Sequence, residues 1–244
     1  MQANQFGKEN PDALGTTASA APLELNLRVV WGGSLPANYS GSIELDSGKL
    51  VCLHQLGIDP FDPSFLRNSS DHKLSFEDRA TRFGGCDIRV LGQSTSRLKV
   101  MIRSTDPQSQ QISTKEHEWM LHDLQENTHV ETLELGDCKL SVDRVPGDRL
   151  RVTTSRNHLI YNSDEPLSLQ IQPCSLPWVS TSGTLEYAIV DVNSGREVAR
   201  QSKSLAMDEH GNSESSTVLL SAPHDEGVYD LRLKIEPKRK LAGV

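Results

Sequence analysis

Three stretches of this chain gather the side chains that could hold a metal or a ligand. His117-Glu118-Trp119-Met120-Leu121-His122 resembles the zinc-binding spacing H-E-x-x-H but has one residue too many. On a helix, five residues advance about 500°, which leaves the two imidazoles about 140° apart. On a strand, an odd separation puts them on opposite faces. Neither backbone brings both onto one ion, so no metal is expected there. Asp191-Val192-Asn193-Ser194-Gly195-Arg196-Glu197 offers oxygens at alternate positions, like the first half of a calcium loop. The remainder of that pattern is missing, and a hairpin uses Asn-Ser-Gly for its turn geometry. The third stretch is a long loop over 57–72 with two prolines, Asp59-Pro60-Phe61-Asp62-Pro63, followed by Phe65, Asp71 and His72. Loops of that length commonly carry function. Asp59, Phe61, Asp62 and Phe65, joined by Trp178 from another loop stretch, form the candidate ligand-contact set.

Catalytic signatures are missing from the sequence. There is no G-x-S-x-G elbow for a nucleophilic serine. There is no phosphate-cradling glycine loop. A glycosidase needs two facing carboxylates, and 33 acidic residues offer too many to select a pair. The expectation is therefore a chain with no catalytic residue, no metal and no cofactor. Sugar-binding sandwiches stack rings on exposed aromatics, but aromatics make up only 5% of the chain. Trp31, Tyr39, Phe61, Phe65 and Trp178 are the candidates, and each reads first as a core plug or loop anchor. Asn38-Tyr39-Ser40 and Asn68-Ser69-Ser70 fit the glycosylation acceptor pattern, which has meaning only in a eukaryotic secretory setting. The four cysteines, Cys52, Cys86, Cys138 and Cys174, form no C-x-x-C pair. They read as buried thiols, with one or two disulfides as the alternative.

Composition narrows the partners. The net charge of -8 argues against nucleic acid and anionic membrane surfaces, which select a positive field. No apolar run approaches the roughly 20 residues of a membrane span. Residues 1–22 carry few large apolar groups and read as a disordered leader without the apolar core of a signal peptide. Residues 237–244, with Lys238-Arg239-Lys240, read as a basic linker.

Between these ends the pattern is that of strands. Leu23, Leu25, Leu27 and Val29 alternate with polar residues, and Trp31-Gly32-Gly33 is expected to end that strand. Asp46-Ser47-Gly48, Gly136-Asp137 and Asn193-Ser194-Gly195 each predict a hairpin. Further strands are expected at 73–79, 86–91, 97–102, 149–153, 159–161 and 167–171, with one helix over 116–124. Pro146-Gly147-Asp148 is a turn between two strand patterns and marks a boundary. The prediction is an all-β chain of two antiparallel β-sandwich domains, 23–143 and 145–236.

Asp225-Glu226-Gly227-Val228-Tyr229 resembles the tyrosine corner of immunoglobulin-like sandwiches, with Leu231 where an antibody domain has its second cysteine. The resemblance implies a mostly buried Tyr229 ring whose hydroxyl reaches the 222–225 backbone, in an immunoglobulin-like second domain. The run from Gly147-Asp148-Arg149-Leu150-Arg151-Val152 to Tyr229-Asp230 also resembles sandwich modules of large uncharacterised exported planctomycete proteins, as do Trp31-Gly32-Gly33 and Ser40-Gly41-Ser42-Ile43. That resemblance implies an exported, non-catalytic structural or adhesion module, the N-terminal part of a larger protein. It would sit in the periplasm, in the cell envelope or outside the cell. Its partners would be downstream domains of the same polypeptide or other envelope proteins. The alternatives are a polysaccharide-binding accessory module and a hydrolase with an unrecognised carboxylate site.

Overall fold

The computed structural model describes residues 22–56, 66–77, 80–134, 137–156, 158–177, 182–208 and 210–237, without the side chains of 66–69. The frame of the first half is β1 (Leu23–Leu45), a strand of 23 residues. Leu23, Leu25, Leu27, Val29 and Trp31 are buried in strict alternation. Its pairing register then breaks between Gly32 and Ala37. A Cβ at Gly32 would lie 2.3 Å from the Arg82 carbonyl oxygen, so the close approach at this bend needs glycine.

Before the break β1 pairs with β5 (Ala80–Gly92) and β9 (Lys139–Arg144). After it, β1 pairs with β4 (Lys73–Phe76) and β6 (Arg97–Thr105). β2 (Lys49–Leu56) and β8 (His129–Thr132) extend the first layer. β3 (Leu66–Ser70) and β7 (Ile112–Met120) extend the second. One nine-stranded sheet is thus shared through β1 by two layers around a single apolar core. Trp31 from one half of β1 stacks on Phe76 of β4, ring centroids 4.3 Å apart.

Several expectations are corrected here. Trp31-Gly32-Gly33 does not end the first strand, which bends and continues to Leu45. Asp46-Ser47-Gly48 is not a hairpin turn. The strands it joins do not pair: β1 bonds β4 and β6 there, whereas β2 bonds β5. The 57–72 loop is shorter than expected, because 66–70 form β3 and turn directly into β4; residues 57–65 lie outside the described residues. Residues 116–120 belong to β7, not to a helix. Glu116 and Glu118 reach diagonally across the ladder to Lys99 and Arg97, at 2.8 and 2.5 Å, and such cross-strand pairs favour the strand. The helix is α1 (Leu121–Glu126), with Leu121 and Leu124 buried.

The second half has two three-stranded antiparallel sheets. One contains β10 (Leu150–Thr154), β11 (Pro166–Pro173) and β14 (Ser216–Ser221) in the order β10-β11-β14. The other contains β12 (Ser182–Asp191), β13 (Glu197–Ala206) and β15 (Tyr229–Pro237) in the order β13-β12-β15. Leu169, Ile171, Leu185, Tyr187, Ile189, Leu205, Val218 and Leu220 form its buried core. Asn193-Ser194-Gly195 turns β12 into β13, with Asp191 accepting from the Ser194 amide and hydroxyl. Leu159-Ile160-Tyr161 forms no strand. The chain is therefore all-β and sandwich-like, with one short helix among the described residues.

A buried polar cluster joins the halves. The Arg144 and Asp148 side chains are 3% and 0% exposed. Arg144 donates to Asp148 Oδ2 through Nε and Nη2 (3.0 and 2.5 Å), and to the Ser175 and Cys174 carbonyls at 2.6 and 3.0 Å. Asp148 Oδ1 accepts from Asn26 of β1 at 2.7 Å and from Arg151 of β10 at 2.9 Å. Burial pushes the Arg144 guanidinium below its usual pKa, against the pull of Asp148. Each buried charge here has its partners, as a desolvated pair requires.

Candidate functional site

Directly opposed residues on antiparallel strands share a face. The inner-face residues Leu185, Tyr187 and Ile189 of β12 therefore define the inner positions of both neighbours. On β13 these are Lys203, Gln201 and Ala199. On β15 they are Ile235, Leu233 and Leu231. The two edges of one sheet thus differ. Gln201 accepts a hydrogen bond from the Tyr187 hydroxyl at 3.0 Å, and the Lys203 ammonium donates to the Thr217 carbonyl of β14 at 3.4 Å. On that side Leu205, Val218 and Leu220 are buried. An inward lysine on an edge strand blocks the addition of another strand.

The β15 side lacks such a guard. Tyr229, Leu231, Leu233 and Ile235 pack against the core but remain half-buried, and β15 has one partner, β12, among the described residues. On β10, the edge strand of the other sheet among the described residues, Leu150 is half-buried and packs against the same core, and Val152 is 38% exposed. This flank runs into an apolar cleft of about 510 Å³ at the corner before β15. Leu159, Ile160, Leu167, Ile189, Val228 and Leu231 line it. Leu159, Ile160 and Val228 are 74%, 76% and 66% exposed, in contrast to the dry core of the first half.

The corner that shapes the cleft is held by Tyr229, whose hydroxyl donates to the Asp225 carbonyl at 2.8 Å. A Cβ on Gly227 would stand 3.3 Å from the Tyr229 ring, so the glycine lets the ring fold over the turn. The hydroxyl contact agrees with the corner reading. The ring is half-buried rather than mostly buried, because it lines the open cleft.

Ser163, His224 and Asp164 meet at the cleft rim, a combination of types that invites comparison with a nucleophile relay. Ser163 Oγ and Asp164 Oδ2 both approach the same imidazole nitrogen, Nδ1, at 3.1 and 3.0 Å. A relay divides these contacts between the two ring nitrogens. Ser163 also donates to the His224 carbonyl at 2.8 Å. Asp164 holds the exposed His224 imidazole above its usual pKa of 6.5. The group is a surface ion pair with a serine attached.

All five sequence candidates, Asp59, Phe61, Asp62, Phe65 and Trp178, lie outside the described residues. Trp31 and Tyr39 are fully buried core residues. His117 and His129 flank Trp119 at centroid distances of 5.7 and 5.6 Å, while His122 is on α1, so His117 and His122 do not converge. No cluster of three or more His, Cys, Asp or Glu able to hold a metal occurs among the described residues. The four cysteines are free thiols; Cys86, Cys138 and Cys174 are buried and Cys52 is half-buried. Burial raises the Cys86, Cys52 and Cys174 pKa values.

The sequence reading missed Leu159, Ile160 and Val228. Their signal was an apolar triplet without alternation and a valine inside a corner, neither of which a buried strand required.

Fold and site together define an all-β, sandwich-like protein with one open apolar flank. No protein-family model matches the chain, and no curated protein is detectably similar to it. No helix among the described residues is long and apolar enough to cross a membrane.

Proposed function

We propose that this chain is a non-catalytic interaction module, with the β10/β15 flank and its cleft as the contact surface. One observation carries the reading: β13 is guarded by Gln201 and Lys203, whereas the same inner positions on β15 are apolar and half-covered. An edge left apolar in a sheet whose other edge is guarded has the character of a binding surface. The buried Arg144–Asp148 cluster supports a supporting role for the first half, since it ties that half to the β10 side of the flank.

The immunoglobulin-like reading of the second half is supported by the strand orders β10-β11-β14 and β13-β12-β15 and by the Tyr229 corner. The exported setting, and downstream domains or other envelope proteins as partners, rest on the resemblance of the 147–230 run.

Titration with the apolar dye bis-ANS tests the contact surface. The native protein should bind it at one saturable site, and Leu159→Ser with Val228→Ser should weaken that site about tenfold. No binding, or binding indifferent to these changes, would overturn the reading. Ester turnover lost in His224→Ala would overturn its non-catalytic part.

A further inference from the structure

We propose that the cleft before β15 binds a small organic ammonium ion with an apolar body. This rests on the cleft being part of the contact surface, and it names the ligand. The cleft's volume of about 510 Å³ falls within the range of small-molecule pockets, about 300–1,000 Å³. Its walls are held in place. The β10–β11 connection supplies Leu159, Ile160 and Tyr161, and the corner before β15 supplies Val228 and Tyr229. The Ala222 amide donates to the Glu165 carbonyl at 2.8 Å and ties one wall to the other. Arg156 pins the first wall: it pairs with Glu165, donates to the Ile160 carbonyl at 3.2 Å and lies 4.9 Å over the Tyr161 ring. A pre-formed apolar wall lets a ligand bury its body without ordering the loops first.

The charges around the cleft select the ligand. Three basic side chains lie there, each with an acid to answer it. Arg156 pairs with Glu165, and His224 with Asp164 at 3.0 Å. Arg196 faces Asp191, whose carboxylate is held below its usual pKa first by the Ser194 amide and hydroxyl and then by Arg196. Asp225 and Glu226 also line the cleft, and neither carboxylate pairs with a basic side chain among the described residues. Two neighbours in the lining feel that surplus. His224 is held above its usual pKa by its hydrogen bond with Asp164 and also by the Asp225 charge. Tyr229 is raised by burial first, then by Asp191 and Asp225, against the pull of Arg196. The cleft is therefore apolar within and negative at its mouth. An anion would add to that charge, and an uncharged molecule would leave it unanswered. An ammonium ion on an apolar body satisfies both parts, with its charge beside Asp225 and Glu226.

The test is isothermal titration of the whole chain with three probes that share one apolar body: phenylbutylamine, phenylbutanol and phenylbutyrate. The amine should bind at a single site, about tenfold more tightly than the alcohol, and the carboxylate should bind more weakly than either. Asp225→Asn with Glu226→Gln changes only exposed side chains and keeps the Asp225 carbonyl that holds Tyr229. It should erase the amine's advantage and leave the alcohol's affinity unchanged. Bis-ANS carries sulfonates, so this variant should bind the dye more tightly. Leu159→Ser with Val228→Ser should weaken all three probes. The proposal is overturned if the amine does not bind, if it binds no more tightly than the alcohol, or if its advantage survives the neutralising variant. Any of these with bis-ANS binding retained would reject the ammonium ligand and leave the contact surface standing; loss of the dye as well would reject both. Binding of the end-blocked peptide Leu-Lys-Leu-Lys-Leu without binding of the amine would also overturn it, in favour of a basic polypeptide.

Discussion

The two halves of this molecule close their cores differently. In the first, β1 serves both layers, and its inward residues from Leu25 to Ile43 are at most a few per cent exposed. In the second, two separate three-stranded sheets meet, and the inner rows of both edge strands differ in kind: Gln201 and Lys203 on β13 are polar and exposed, whereas Leu231, Leu233 and Ile235 on β15 are apolar and half-buried. The row on β15 has the same alternating pattern as the row on β1, but it stays partly in water. The comparison teaches that alternation marks which face of a strand is apolar, while coverage depends on what packs opposite. A fully covered row stabilises the fold; a half-covered one is available to a partner.

Truncation should show the contrast most strongly. Leu27→Ala, in the dry core, should destabilise by about 4 kcal/mol, and Leu233→Ala by about 2 kcal/mol, because part of that leucine stays in water at the open flank. Urea denaturation of both variants checks this. Equal losses would mean that β15 is as covered as β1.

The link between the halves comes next. Arg144→Met leaves Asp148 buried with Arg151 and Asn26 but without its closest partner, at a cost of about 3 kcal/mol. The transitions of the two halves should then separate in calorimetry. An unshifted single transition would contradict a cooperative junction.

Much of this architecture was legible in the sequence. Period-two alternation located β1, β6 and β11, because each has one face on a core. Asn193-Ser194-Gly195 predicted its hairpin because the flanking strands do pair. Asp46-Ser47-Gly48 has similar turn chemistry and misled, because pairing is decided by tertiary packing: β2 reaches β5. The helix boundary failed because Glu116 and Glu118 have ladder partners on β6 that are distant in sequence. The open flank was the least legible. Lys203 and Leu233 acquire meaning only once the register shows that both occupy inner-face positions of the same sheet, on opposite sides of β12. The 57–65 and Trp178 candidates lie outside the described residues.

Smaller effects sharpen the corner that shapes the cleft. Tyr229→Phe removes one hydrogen bond near solvent and should cost about 0.5 kcal/mol, read as a shift of the urea midpoint. The smallest effect is at the rim. His224 pairs with Asp164, so its NMR titration should give a pKa above 6.5 that falls toward that value in Asp164→Asn. A raised folded-state pKa means this pair's contribution is complete below the unfolded-state value and is lost as pH rises through the folded one. An unchanged titration in Asp164→Asn would show that the contact is not populated.

The central claim is that the far edge of β15, which has no strand partner among the described residues, is open to solvent. Site-resolved amide hydrogen exchange along Tyr229–Pro237 tests it most directly. The account predicts alternation: amides bonded to β12 are protected, and those turned away from it exchange almost as freely as in an exposed loop. Uniform protection along β15 would contradict it, because the edge would then already be occupied.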